Sequence, residues 1–236
     1  MPKIFSSDSR RTFTRWATPL AVVGVLALGG IALWWQLRPT SSSDNRYFSF
    51  TIVDTSLAEP EQERLRTEFA LARADVEKNP DDANAWLTMG ANKNAAGDHV
   101  GAAAIWEYVS TIRPTNSVSF NNLGEVYSTF LNRPQDAVAA YRRAIANSLD
   151  EPKNEFYVRS LGDLQDFTLS DPTAALATFE DGLLPAPRST QLLARSAEVA
   201  AKLGNRQKAI GYYTRLLTLD PDNQAVKADL AKLRRP

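Results

Sequence analysis

Two hydrophobic rhythms divide the chain. From Ala17 to Leu33 no residue carries a charge, with Trp16 on one side and Trp34 and Trp35 on the other. About twenty residues at 1.5 Å each cover the roughly 30 Å hydrocarbon core of a bilayer, and indoles favour both of its interfaces. Residues 16–37 are therefore expected to form one transmembrane helix, with Pro19 in its first turn, where a missing N–H costs little. A cleaved secretory signal would also join a basic stretch to an apolar one. Here the apolar run is longer than a signal core, and Trp34-Trp35-Gln36-Leu37 offers no small-residue cleavage pattern. Lys3, Arg10, Arg11 and Arg15 precede the run against Asp8 alone, and the positive-inside rule then leaves residues 1–15 in the cytoplasm. The body would lie on the far side, as on the periplasmic side of a bacterial inner membrane.

Residues 38–55 begin as a polar linker containing Pro39 and Ser41 to Ser43. Within it Phe48, Phe50 and Ile52 alternate with Ser49 and Thr51. Period two predicts an extended strand over Tyr47 to Val53 with one apolar face, either packed on the first helices or offered to another chain.

Beyond residue 56 the rhythm becomes helical and repeats. Leu65, Phe69, Ala72 and Val76 recur at helical spacing, so 56–79 is expected to be a capping helix, with Ser56 and Glu59 as a capping box. Counting a unit from Ala83, the residues Trp86, Met89, Gly90, Ala102, Trp106, Val109 and Pro114 fall at positions 4, 7, 8, 20, 24, 27 and 32. A unit from Ser117 gives Phe120, Leu123, Gly124, Ala137 and Tyr141, with one extra residue near Asn132-Arg133-Pro134. The next, from Glu155, gives Val158, Leu161, Gly162, Ala175, Phe179 and Pro187, again one residue longer. The last, from Thr190, returns to the strict spacing with Leu193, Ala197, Gly204, Ala209, Tyr213, Leu216 and Pro221.

In every unit an alanine precedes an aromatic residue by four: Ala102 and Trp106, Ala137 and Tyr141, Ala175 and Phe179, Ala209 and Tyr213. Small residues at helix crossings let two helices approach, and a proline after the second helix ends it. The second unit has Leu149 where that proline is due and Pro152 three residues later, which predicts a longer or looser helix end. Asp81-Asp82 and Asp220-Pro221-Asp222-Asn223 fall between units and read as helix caps rather than calcium ligands. Ala225, Leu230 and Leu233 mark a closing helix over 224–236.

Position by position these residues resemble the tetratricopeptide repeat (TPR) pattern over roughly residues 68–223. The resemblance implies an all-α, right-handed α-solenoid of about four helical hairpins at 83–116, 117–154, 155–189 and 190–223, with capping helices, behind a single transmembrane helix. It also implies a concave groove lined by positions 2, 5, 9 and 12 of each first helix. Those positions hold Asn84, Leu87, Ala91 and Asn94; Val118, Asn121, Glu125 and Ser128; Phe156, Arg159, Asp163 and Asp166; and Gln191, Ala194, Glu198 and Ala201. Some family members grip a terminal carboxylate with paired Lys and Asn, but the Lys positions here hold Leu87, Asn121 and Ala194. Glu125, Asp163, Asp166 and Glu198 against Arg159 predict a groove for a basic or neutral extended protein segment, with Asn121 bonding its backbone.

Charge and chemistry narrow the function further. Formal net charge is zero, and beyond residue 15 there are 23 basic against 26 acidic side chains, too few clustered cations for a nucleic-acid surface. Absence of cysteine removes disulfides and thiolate chemistry. The single histidine, His99, follows Asp98 in an expected turn. No phosphate-binding loop, nucleophile elbow or zinc-protease motif occurs. The expectation is a membrane-anchored protein-interaction module (adaptor, scaffold or chaperone-like assembly factor), not an enzyme, with no cofactor, no metal and no nucleic-acid partner. The alternatives are a self-assembling structural subunit of a membrane complex and an organelle import receptor.

Overall fold

Ala102, Ala137, Ala175 and Ala209 are all 0% exposed, and the helices that carry them run in pairs. The computed structural model describes residues 45–149, 151 and 154–235. The expected membrane helix at 16–37 and the basic segment before it lie outside those residues. No helix among the described residues is long and apolar enough to cross a membrane.

The described residues form eleven α-helices and one π-helical turn, without a strand. In chain order they are α1 (Asn45–Phe48), α2 (Glu59–Lys78), α3 (Ala83–Ala95), α4 (His99–Ile112), α5 (Ser117–Thr129) and α6 (Pro134–Ala146). Then follow α7 (Asn154–Asp163), the π turn Leu164–Thr168, α8 (Pro172–Gly182), α9 (Thr190–Lys202), α10 (Arg206–Leu219) and α11 (Gln224–Arg234). Among the described residues α3/α4, α5/α6, α7/α8 and α9/α10 are hairpins, with α2 packed before the first of them in the manner of a second helix and α11 after the last in the manner of a first.

The crossings are built from a glycine under an aromatic ring. A Cβ on Gly90 would lie 2.4 Å from Trp106, one on Gly124 2.7 Å from Tyr141, and one on Gly162 2.2 Å from Phe179. Ala197 takes this place in the fourth hairpin, with Tyr213 as the aromatic residue. The volume saved at position 8 is the volume the ring at position 24 fills, which keeps the interior close-packed.

The two longer units place their extra residue in the same way. In the strict units the turn closes on a glycine with positive φ, Gly97 or Gly204, and Asp98 and Asn205 donate their N–H five residues back, to Lys93 and Ala200. In the longer units Asn132 and Ser170 take the positive φ, and Arg133 and Asp171 donate six residues back, to Tyr127 and Gln165. Leu131 to Val126 and Leu169 to Leu164 are five-residue bonds, so the insertion is absorbed as a π-type turn at the end of the first helix. The expected loose end of the second unit is instead closed by side chains. Ser148 Oγ donates to the Ala144 carbonyl at 2.8 Å, and Asn154 Nδ2 donates to the Ile145 carbonyl at 3.0 Å.

Between helices, Asp82, Asp98, Asn116, Asp171, Ser189, Asn205 and Asn223 each accept a backbone N–H at a helix start. The expected capping box at Ser56 and Glu59 does not form. The Ser56 hydroxyl donates to Asp54 at 2.6 Å, and α2 begins at Glu59 with proline in its first turn, where one fewer donor needs a partner.

The expected strand over Tyr47 to Val53 is also corrected. Tyr47 and Phe48 end the short helix α1, and the following residues run without a sheet partner. Their alternation is nevertheless expressed in burial, because Phe48, Phe50 and Ile52 turn inward while Ser49, Thr51 and Val53 face solvent. The backbone is satisfied by one helix end, where the N–H groups of Val53 and Asp54 donate to the Ala96 carbonyl at 2.8 and 2.9 Å.

The core consists of two clusters. One runs from Tyr47 to Leu164 and the other from Val158 to Leu230, with Ile145 packed against both. The seam falls where α6, α7 and α8 meet.

Candidate protein-binding face

Each first helix is turned so that its glycine or alanine meets the second helix, which leaves a stripe of other residues on the opposite side. On α3, Asn84 and Ala91 are exposed and Leu87 is half-buried, while Asn94 is tied down, its carboxamide oxygen 2.7 Å from His99 Nδ1. The His99 ring also stacks on Phe130 at 3.7 Å, so this histidine is a packing residue rather than a free turn residue.

On α5, Glu125 is exposed between Val118 and Ser128, and Asn121 is recessed to 8% exposure. Its Oδ1 has no hydrogen-bond partner. On α7, Phe156 is exposed and the guanidinium of Arg159 lies 5.4 Å over its ring, with Arg159 Nε buried and without a partner. An orphaned buried polar atom costs about 1–3 kcal/mol, so two on one face are an unmet demand for hydrogen bonds. The Tyr141 hydroxyl is pushed up to about 12 by burial, with the Ser128 and Ser160 hydroxyls pulling the other way.

The acidic end of the face is largely neutralised. Asp166, 4% exposed, accepts from Arg195 Nη2 at 3.1 Å and from Lys202 Nζ at 2.7 Å. Arg195 also bonds Asp163 at 2.8 Å and pairs with Glu198, and its guanidinium lies 4.8 Å over the Phe167 ring. Burial alone would lower the affinity of Arg195 for its proton, but Glu198 and Asp163 outweigh it and hold the guanidinium more firmly charged. Reading one stripe per helix counts four carboxylates against Arg159. The three-dimensional face adds Arg195 and Lys202, which lie off the stripe on α9 and reach across to α7 and the π turn. Of the carboxylates read from the sequence, Glu125 stands apart from this network. On α9, Gln191 and Glu198 are exposed and Ala194 and Ala201 half-buried.

Residues 192–226 match the tetratricopeptide repeat family model. No curated protein sequence matches the chain. Among solved structures, the fold is similar to YrrB, described as a TPR protein with an unusual peptide-binding site, at 15% identity and TM-score 0.54, covering 69% of this chain and 81% of that one. It is similar to PilW, a type IV pilus biogenesis factor, at 17% identity and TM-score 0.53, covering 83% and 87%. It is also similar to pilF of Pseudomonas aeruginosa, at 16% identity and TM-score 0.52, covering 68% and 78%. The family match in the fourth hairpin and these likenesses together support an all-α tetratricopeptide-type stack, the architecture of a protein-interaction module.

Proposed function

We propose that this chain is a membrane-anchored, non-catalytic adaptor or assembly factor that holds an extended segment of another protein along its first-helix face. The observation that carries the reading is the pair Asn121 Oδ1 and Arg159 Nε, an acceptor and a donor, both buried and unsatisfied at position 5 of adjacent first helices. An extended main chain offers one N–H and one C=O per residue and meets both needs. Exposed Phe156 supplies an apolar contact, and Glu125 favours a basic or neutral segment over an acidic one. One structural neighbour is described as having a peptide-binding site and another as a type IV pilus biogenesis factor, which is work of the same class. The apolar run bracketed by Trp16 and Trp34 supports the anchor, with the stack held on the non-cytoplasmic side.

The test is a selection of peptides from a random library on the full chain. Binders should weaken about tenfold or more with Asn121→Ala and with Arg159→Ala, a loss of about 1.4 kcal/mol or more. Unchanged affinity in both variants would remove the first-helix face from the account.

A second reading, self-assembly through the stack ends, has one observation in its favour. Beside α11 lies a groove of about 530 Å³ lined by Leu217, Leu230, Lys227 and Arg234, while helix α2 carries six acidic against four basic residues. Sedimentation of the full chain that stays monomeric at high concentration would end this reading.

A further inference from the structure

Consecutive second helices form the walls of a channel whose floor is the first helix between them, and the stack contains four such channels. The first, between α2 and α4 over α3, is filled by the chain's own residues 45–54. There the Tyr47 ring lies 5.9 Å from Trp86 and 5.8 Å from Tyr108, Phe48 lies 5.6 Å from Trp86, and Phe50 stacks on Phe69 at 4.6 Å. Arg73 fixes the segment from the α2 wall. Its Nη1 donates to the Phe48 carbonyl at 3.3 Å, and its guanidinium sits 5.6 Å over the Phe48 ring.

Two of the other channels are filled from within. Between α4 and α6, Phe120 rises from the floor with the Arg143 guanidinium 5.4 Å over its ring. Between α8 and α10, Glu180 accepts from Tyr212 at 2.5 Å and from Lys208 at 2.6 Å, which ties the two walls together.

The channel between α6 and α8 over α7 is open. It encloses about 800 Å³ and is lined by Arg142 and Ile145 on one wall, Val158 and Leu161 on the floor, and Ala177 and Asp181 on the other wall. At its mouth Leu149 and Leu184 are 62% and 79% exposed, and the seam between the two core clusters runs beneath it. In the register of the repeats, Ala72, Trp106, Tyr141 and Phe179 are equivalent, so Arg142 holds the place of Arg73. Val158 correspondingly holds the place of Trp86, and Asp181 that of Tyr108. Smaller side chains on floor and wall explain why this channel stays empty. Neither Arg142 nor Asp181 has a side-chain partner among the described residues.

We infer that the α6/α8 channel is a docking site for a short aromatic segment of a partner protein, taken up as the first channel takes up Tyr47 to Phe50. Arg142 donates to the main chain of the bound segment and covers one of its rings, as Arg73 does for Phe48. Asp181, facing it across the channel, favours a basic residue beside the aromatic ones, in the manner of Arg46 beside Tyr47. The volume lies within the range of about 300–1,000 Å³ typical of ligand clefts. This site lies on the second-helix face, so it stands or falls separately from the first-helix reading above.

The experiment uses a fluorescent synthetic peptide with the sequence of residues 45–54 as the probe, titrated with the full chain and read by anisotropy. Saturable binding is expected, absent for a peptide with serine in place of Tyr47, Phe48 and Phe50. Arg142→Ala should weaken it about tenfold, through the lost hydrogen bond and ring contact, and Ala177→Trp should block it by filling the channel. Both positions are exposed, so the variants should keep the melting temperature of the parent. Three results would overturn the inference. One is no saturable binding; another is binding untouched by Ala177→Trp but lost with Arg73→Ala, which would place the probe in the first channel. The third is self-association of the full chain that Ala177→Trp abolishes, which would make a second copy the occupant.

Discussion

The ring of Phe179 occupies the place that a methyl group on Gly162 would need, 2.2 Å from where that carbon would stand. Gly162→Ala must therefore push α7 and α8 apart or drive the ring off its rotamer. The expected cost is about 1–3 kcal/mol, measured by urea unfolding. Gly211→Ala is the matched control, because nothing lies within 4 Å of its added carbon. That change should be neutral or stabilise by up to about 1 kcal/mol through helix propensity.

The same pairing explains what could be read from the sequence. Ala102 and Trp106, with their three counterparts, carry the stack in their spacing alone, because helix crossings tolerate little but small residues and each ring fills the volume left by the small residue at position 8 of the facing first helix. The extra residue of the longer units could be counted but not placed: the π-type turns at Leu131 and Leu169 depend on hydrogen-bond choices that several turns would satisfy. Period two around Phe48 correctly gave which side chains turn inward, yet it could not tell a strand from a strap lying on helices, since both present alternate residues to a surface. The charge balance of the candidate face is only partly legible in the stripe positions, for a different reason. Arg195 and Lys202 belong to α9 but neutralise Asp163 and Asp166 from the preceding unit, and a pattern read helix by helix misses such cross-unit reach.

Asp166 is the most enclosed carboxylate of that network. Asp166→Ala should cost about 1.5–3 kcal/mol in urea unfolding, the range for hydrogen bonds to charged groups. Part of the Arg195 charge stays compensated by Asp163 and Glu198. Asp163→Ala, at a more open position, should cost under about 1 kcal/mol.

The strap over the first channel should behave as core. Phe48 is buried against Trp86 and Arg73, so Phe48→Ala should destabilise the stack by about 3 kcal/mol or more. Hydrogen exchange should quicken first in α2 and α3. Ser49→Ala, facing solvent, should change neither.

Glu180 links stability to pH. Burial pushes its carboxyl up, but hydrogen bonds from Lys208 and Tyr212 outweigh that and hold it below its ordinary 4.5. A carboxylate depressed in the folded state contributes stability that is complete above the unfolded pKa and lost as pH falls through the folded one. Tyr212→Phe removes one donor, so this acid loss should begin at higher pH. Circular dichroism titrations of the two proteins between neutrality and pH about 2 should show the variant unfolding first.

The first-helix reading requires that Asn121 recognise main chain rather than side chain. An N-methyl scan along a library-selected peptide, titrated against the parent and against Asn121→Ala, tests this directly. The account predicts one backbone amide whose methylation weakens binding to the parent about tenfold and leaves binding to the variant unchanged. Equal sensitivity of both proteins at every amide would contradict it.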